Sequence, residues 1–220
     1  MNSYRCGILV PWVNTAAETE LRRLPRDIHY HVGRVWPRKL PADSHDESYL
    51  DSLVSSAIRS KKQFGWLQLD DLYLACTSAT SKASLTTRSG SVLTTAYGCL
   101  LEELLARQIR SVAFVSPYSR QLQGSICRTL ERDGIRIAQV TALDFISQIR
   151  DLDCDKILDQ CRKAGLLKAK VPIVLACTAF DTHDIIRSFY DKGIICVSSN
   201  SAILGTIRRR AKSKAKALSK

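Results

Sequence analysis

Short apolar runs alternate along the chain with longer stretches in which apolar residues recur every three or four positions, the pattern of strands alternating with amphipathic helices. The first run, residues 6–11 (CGILVP), reads as a buried strand. Asn14 then opens a helical pattern through Glu18, Leu21 and Leu24 that Pro25 stops, since proline lacks an amide hydrogen. Leu50, Leu53, Val54, Ala57 and Ile58 predict a helix over 49–60. The run 72–75 (LYLA) predicts the next strand, with Cys76 where strand turns to loop. Helices are expected over 94–107, 121–132, 156–164 and 182–190, strands over 111–115, 135–140, 173–176 and 194–197, and a last helix from Ser201 onward. Parallel strands need crossover connections, so this alternation predicts an α/β fold of Rossmann-like (flavodoxin-like) parallel sheets covered by helices.

The pattern occurs twice. Leu74-Ala75-Cys76-Thr77 recurs as Leu175-Ala176-Cys177-Thr178, and Val10-Pro11-Trp12 is matched by Ser116-Pro117-Tyr118 at nearly the same offset and in the same order. The helices that follow the second motif end in Leu24 and Leu130. A duplicated α/β unit is expected: residues 1–95 with 198–220 packing back on them as the first subdomain, and 96–197 as the second. Two such units related by a pseudo-twofold axis bring the strand ends bearing Cys76 and Cys177 toward one cleft. Ligands of open α/β sheets bind at the carboxyl ends of strands, so the active site is expected there.

Composition narrows the classes. With 220 residues, 45% hydrophobic and 25% charged, the chain can bury a sizeable core and is neither disordered nor fibrous. Its apolar runs fall far short of the roughly 20 residues of a membrane span, so no membrane partner is expected. Residues 1–7 lack the basic start and apolar stretch of an export signal, which predicts a cytoplasmic location. The eight cysteines contain no CxxC pair, and in a reducing compartment they are expected as free thiols, each either packing or chemistry. Seven Lys and Arg between 208 and 220, with no acid among them, supply more than half of the net charge of +12. Such a run is expected as a solvated helix end, with an anionic partner as the alternative and nucleic acid disfavoured. Neither GxGxxG nor GxxxxGK occurs, and His29, His31 and His45, in polar loop-like sequence, show no metal-ligand spacing, so no cofactor and no metal are expected.

Two thiols at matched strand ends are the chemistry to explain. A cysteine followed by Thr and a helix start is placed where amides and the helix dipole favour anions, which predicts a lowered thiol pKa. Thiols on opposite sides of a planar carbon allow one to remove a proton or add to a double bond while the other supplies a proton from the far side, with no cofactor. The enolate-like state needs aimed donors, and candidates are the turns Cys76 to Ser78 and Cys177 to Ala179, with Asn14 and Tyr118. Cys6, Cys99, Cys127, Cys154, Cys161 and Cys196 have no such counterpart and are expected as packing residues.

The opening Gly7-Ile-Leu-Val-Pro-Trp-Val-Asn14-Thr-Ala-Ala-Glu-Thr-Glu20, the segment Val115-Ser-Pro-Tyr118 and the two Cys-Thr turns resemble the aspartate/glutamate racemase superfamily, particularly its maleate cis-trans isomerase and arylmalonate decarboxylase branch. The resemblance extends to about residue 207. It implies two Rossmann-like subdomains with Cys76 as the first-half nucleophile or base and Cys177 as its counterpart. It also implies that Asn14 and Tyr118 bind the substrate carboxylates; the hydroxyls of Thr77, Ser78 and Thr178, and Pro11, are the other residues expected at the substrate. Decarboxylases of this branch carry glycine at the first site, so Cys76 favours an isomerase or racemase, with decarboxylation through Cys177 alone and non-catalytic anion binding as alternatives. Ser147-Gln148-Ile149 departs from the Asp-Asn-Leu of maleate isomerases, and Thr77-Ser78 is closer to decarboxylase and racemase members. A homo-oligomer is expected from the resemblance and the apolar helix faces.

His183, six residues after Cys177, is a candidate acid or base or a surface residue. Arg34 and Arg38 are candidates for a loop over the cleft or for solvent exposure. Asp70-Asp71 and Asp181-Thr182 read as turn and helix-cap residues.

Overall fold

The computed structural model describes residues 3–37, 47–78, 84–86, 92–143 and 154–219. β1 (Tyr4–Pro11) is buried along nearly its whole length, as an uninterrupted apolar run must be in a parallel sheet covered on both faces. It pairs in parallel with β2 (Ile28–Val35) on one side and β3 (Asp71–Leu74) on the other. β4 (Ser84–Thr86) lies antiparallel at the edge of β5 (Val92–Thr95), which pairs in parallel with β3. The order of this sheet is β2-β1-β3-β5-β4. The second sheet, built from β6 (Ser111–Ser116), β7 (Arg136–Ala142), β8 (Ile173–Leu175) and β9 (Cys196–Ser198), is wholly parallel, in the order β7-β6-β8-β9.

The two halves therefore run second strand, first, third, last in the same sense, which is the expected duplication expressed as topology. The antiparallel β4 is an addition to the first half alone. The helices that come first along the chain are α1 (Ala16–Leu21), α2 (Glu47–Ser60) and α3 (Ala96–Ala106). They are followed by α4 (Arg120–Arg132), α5 (Cys154–Lys163), the single turn α6 (Leu166–Ala169), α7 (His183–Tyr190) and α8 (Ser199–Leu218). The last strand of each half ends in a hydroxyl that caps the next helix: Thr95 Oγ1 accepts from Gly98 N at 3.0 Å, and Ser198 Oγ from Ser201 N at 3.0 Å in a capping box. These two helices, α3 and α8, pack on each other, and α8 also rests on α1 and β1. Gly205 permits the close approach, because a Cβ there would lie 2.6 Å from Glu103 Oε2.

One core runs through both halves, with Tyr73, Tyr97, Phe114 and Phe189 fully buried. A smaller one, formed by Leu9, Leu53, Phe64, Leu74 and Leu93, lies under α2 and includes Cys76. Among the described residues no helix is long and apolar enough to cross a membrane.

Three expectations are corrected. β2 was read as loop, yet its residues 28–35 pair with the whole of β1, so His29, His31 and Arg34 stand on a strand. As an edge strand it is only half buried, which leaves its polar positions tolerable. The basic segment is not a solvated end. Arg209 pairs with Glu102 at 3.1 Å and with Glu103, Arg210 with Asp71 at 2.8 Å, and Lys214 with Asp70 at 2.8 Å. Arg210 also lies over the Tyr73 ring, 5.6 Å from its centroid, and Arg208 donates to the Arg23 carbonyl at 2.8 Å. Asp70 and Asp71, read as turn residues, are thus partners of a C-terminal clasp. Arg38, His45 and Ser147 to Ile149 lie outside the described residues.

Candidate active site

β3 and β8 are the third strands of their sheets, and each is left through Ala-Cys-Thr in the same way. Ala75 N donates to Leu9 O and Ala176 N to Val115 O, both at 2.8 Å, so each turn is anchored to the central strand beside it. Cys76 and Cys177 are 7% and 5% exposed. Cys76 Sγ lies 3.6 Å from Ser78 Oγ, and Ala179 N donates to Cys177 Sγ at 3.4 Å.

Bonds across the halves hold the two turns together. Thr178 Oγ1 donates to Ala75 O at 2.8 Å, reaching from the turn of Cys177 to the residue before Cys76. Asn14 Nδ2 donates to Thr178 O and to Thr178 Oγ1, each at 2.9 Å, while Asn14 Oδ1 accepts from Ala17 N in the first turn of α1. Asn14 was expected on a substrate carboxylate. In the structure its amide ties α1 to the second cysteine turn. Thr77 Oγ1 donates to Ser199 Oγ at 2.7 Å, joining the first turn to the start of α8. Pro11 ends β1, buried, and its carbonyl accepts from Arg34 Nη1 at 3.3 Å.

Tyr118, two residues past β6 and 5% exposed, meets both turns. It shares hydrogen bonds with Thr77 and Cys177, and burial raises its hydroxyl pKa far above the ordinary value, with the nearby Cys177 and Cys76 adding to the effect. Cys177 is pushed up to about 11 by burial, opposed by the Ala179 amide and the Tyr118 hydroxyl, while the proximity of Cys76 raises it further. The expected lowering of this thiol's pKa is therefore wrong. No helix begins behind it, since α7 starts only at His183, and desolvation outweighs three donors, the amides of Thr178 and Ala179 and the Tyr118 hydroxyl. At neutral pH a thiol near 11 is thiolate in on the order of one molecule in ten thousand. In the resting protein Cys177 carries its proton.

A second polar cluster between the halves was not anticipated. Glu20 of α1, 3% exposed, accepts from Thr182 N at 2.8 Å and Thr182 Oγ1 at 2.7 Å, and Thr182 Oγ1 meets Ser198 Oγ at 2.6 Å. Asn200 Nδ2 reaches the carbonyls of Thr178 and Phe180 at 3.3 and 3.1 Å. The serine-rich start of α8 was the available sign, because such residues mark helix caps. Arg34 is committed to Glu18 and to the carbonyls of Pro11 and Asn14, and His183 is on the surface. Asp181 Oδ1 accepts from His183 N at 3.0 Å, the turn role expected of it. None of the eight cysteines is in a disulfide, and among the described residues no His, Cys, Asp and Glu group could hold a metal ion. Two cavities formed by described residues lie elsewhere: a void of about 10 Å³ beside Glu20 and Asn200, and an open groove of about 390 Å³ beside Arg120 and Val140.

No protein-family model and no curated protein matches the chain. Solved structures do. A Nocardia farcinica maleate cis-trans isomerase variant, carrying a covalently bound succinylcysteine intermediate, superposes with a TM-score of 0.79 at 20% identity over 94% of this chain and 92% of its own. Unliganded arylmalonate decarboxylase superposes with a TM-score of 0.73 at 21% identity, over 95% and 93%. The maleate isomerase of Pseudomonas putida gives 0.74 at 16%, over 96% and 94%. The chain has the fold of the maleate isomerases and arylmalonate decarboxylases. The resemblance read from the sequence is thus matched at the level of fold over nearly the whole chain.

Proposed function

We propose that the chain is a cofactor-independent enzyme that isomerises or racemises a small carboxylate or dicarboxylate between Cys76 and Cys177. The observation that carries the reading is Tyr118, a single buried hydroxyl close to both thiols from opposite halves of a duplicated fold. The solved structures of the same fold are a maleate cis-trans isomerase and an arylmalonate decarboxylase, enzymes that act on carboxylates.

In the proton-transfer form, the Cys76 thiolate takes the α-hydrogen of a bound carboxylate, and the electron pair passes into the carboxyl as an enediolate. Cys177, protonated at rest, returns a proton to the opposite face. In the addition form, Cys76 sulfur bonds to one carbon of a cis double bond and the pair moves to the adjacent carboxyl-stabilised carbon. Rotation about the new single bond follows, and re-forming the double bond expels Cys76. The amides of the Cys177 turn and the Tyr118 hydroxyl stabilise the developing charge. The reading includes a homo-oligomer and the division of the chain into 1–95 with 198–220 and 96–197.

Decarboxylation of a malonate-type acid is the second reading, favoured by the protonated state of Cys177, which suits a proton donor. The test is incubation of the protein in deuterium oxide with maleate, aspartate, glutamate and phenylmalonate, followed by NMR. Maleate-to-fumarate conversion or exchange at an α-carbon supports the first reading. Carbon dioxide release that persists in Cys76→Ala supports the second, and no reaction with any of them counts against both.

A further inference from the structure

The two cysteine turns are not braced alike, and the difference lies in one peptide unit. Thr178 O accepts from two side-chain amides: Asn14 Nδ2 at 2.9 Å, from just past β1, and Asn200 Nδ2 at 3.3 Å, from the first turn of α8. Asn200 Nδ2 also donates to Phe180 O at 3.1 Å. Its side chain is buried, 3% exposed, on a helix held at its start by the Ser198 capping box. The peptide unit that carries Thr178 O also carries the Ala179 N–H, and that N–H donates to Cys177 Sγ at 3.4 Å. Two carboxamides therefore sit on one end of a peptide whose other end faces the sulfur.

Hydrogen bonds in series polarise one another: a peptide carbonyl that accepts makes its own N–H a better donor. At Cys177 the gain falls mainly on the thiolate, because a charged acceptor profits more than a neutral one. Burial keeps this sulfur protonated at rest, and Cys76 and Tyr118 are titratable groups beside it. The Ala179 bond is thus strongest once the proton has left. The first half is built otherwise. Two residues past its cap Thr95, where the second half has Asn200, stands Tyr97, and the Tyr97 hydroxyl donates to Asp133.

We infer that Asn200 is a positioning residue for Cys177, acting with Asn14 through the Thr178–Ala179 peptide to ready that sulfur to release its proton. This rests on the reading of Cys177 as a proton donor, and it adds a residue outside the cysteine turns whose effect reaches one thiol and not the other.

The test is competitive labelling with light and heavy iodoacetamide, read peptide by peptide by mass spectrometry, of Asn200→Ala against the unsubstituted protein at pH 8–9 without substrate. Strengthening of roughly 10–30% per bond, applied to a bond to a charged sulfur, corresponds to about a two- to fourfold change in thiolate population. A more basic thiolate is also the better nucleophile, so Cys177 labelling is expected to slow about twofold, with Cys76 unchanged. A role in packing alone predicts the opposite sign, because a loosened turn exposes Cys177, relieves the desolvation that holds its proton and speeds labelling. Asn14→Ala takes the other amide from the same carbonyl and is expected to slow Cys177 likewise, which keeps the inference testable if Asn200→Ala does not fold. Ile207→Val, which thins the buried face of α8 two turns further on, is expected to leave Cys177 unchanged. Faster or unchanged labelling of Cys177 in folded Asn200→Ala, or equal slowing of Cys76, overturns the inference. Where a carboxylate of the panel turns over, kcat in Asn200→Ala is expected to fall about two- to fourfold with KM within about twofold. Absence of turnover in the unsubstituted protein counts against the functional reading alone, since the labelling comparison needs no substrate.

Discussion

Thr178→Val removes one hydroxyl and keeps the shape of a side chain that is 4% exposed. That hydroxyl donates to Ala75 O at 2.8 Å and accepts from Asn14 Nδ2 at 2.9 Å. The substitution strips the Ala75 carbonyl of this donor, while Asn14 retains the Thr178 carbonyl at 2.9 Å. A buried polar group deprived of its partner costs about 1–3 kcal/mol. The carbonyl loses its bond outright and the amide loses half of its own, so the loss is expected at about 2–4 kcal/mol. With an m-value of about 2–3 kcal/mol/M in urea, the unfolding midpoint falls by about 1 M with the slope unchanged. Thr178→Ser, which restores the hydroxyl, recovers most of the loss. The link to the site is direct, because this one hydroxyl fixes the Ala75-Cys76 turn relative to Cys177. A midpoint within about 0.2 M of the unsubstituted protein, or equal losses for Val and Ser, refutes the view that cross-half hydrogen bonds set the thiol geometry.

Three other expectations test separate parts of the account. Iodoacetamide labelling of Cys177, followed by peptide mass spectrometry, is expected to be slow at pH 7–8 and to accelerate up to about pH 11; rapid labelling at neutral pH contradicts a protonated thiol. Burial raises the Glu20 pKa despite two hydrogen bonds from Thr182. Its contribution to stability is therefore fully present below the unfolded value of about 4.3 and is lost as pH rises through the higher folded value. Glu20→Gln should flatten the melting temperature between pH 4 and 7 relative to the unsubstituted protein, and a steeper dependence in the variant reverses the sign. Arg210→Ala removes the Asp71 pair and the contact with the Tyr73 ring and is expected to cost about 1–2 kcal/mol by urea unfolding, whereas Lys212→Ala on exposed surface costs less than about 0.5. Equal effects of the two would show that the clasp contributes nothing.

Much of the fold was legible because the duplicated motifs are local. A strand ending in Ala-Cys-Thr is readable wherever it occurs, and two copies at one offset define both the halves and their matched ends. The β2 strand was not legible, since His29, His31 and Arg34 interrupt its apolar positions and an edge strand need bury only part of its surface. The clasp was hidden for another reason. Arg209, Arg210 and Lys214 find their acids at 102–103 and 70–71, more than 100 positions away along the chain, and charge runs carry no sign of such partners. The thiol's protonation was not legible either, because strand-end position favours the thiolate whereas burial, which decides it, is invisible in the sequence. Sequence spacing locates Cys177, but only packing reveals that desolvation exceeds the pull of the Ala179 amide. The bonds of Asn14 were not legible, because its partner Thr178 lies in the other half.

The central claim is that the two cysteines work as a pair on one ligand. It is tested most directly by following maleate and the amino-acid panel by NMR in deuterium oxide with the unsubstituted protein, Cys76→Ala and Cys177→Ala in parallel, each checked for folding by its urea transition. The account predicts turnover or α-carbon exchange in the first and its loss in both variants with folding retained. Near-normal turnover in either folded variant contradicts it.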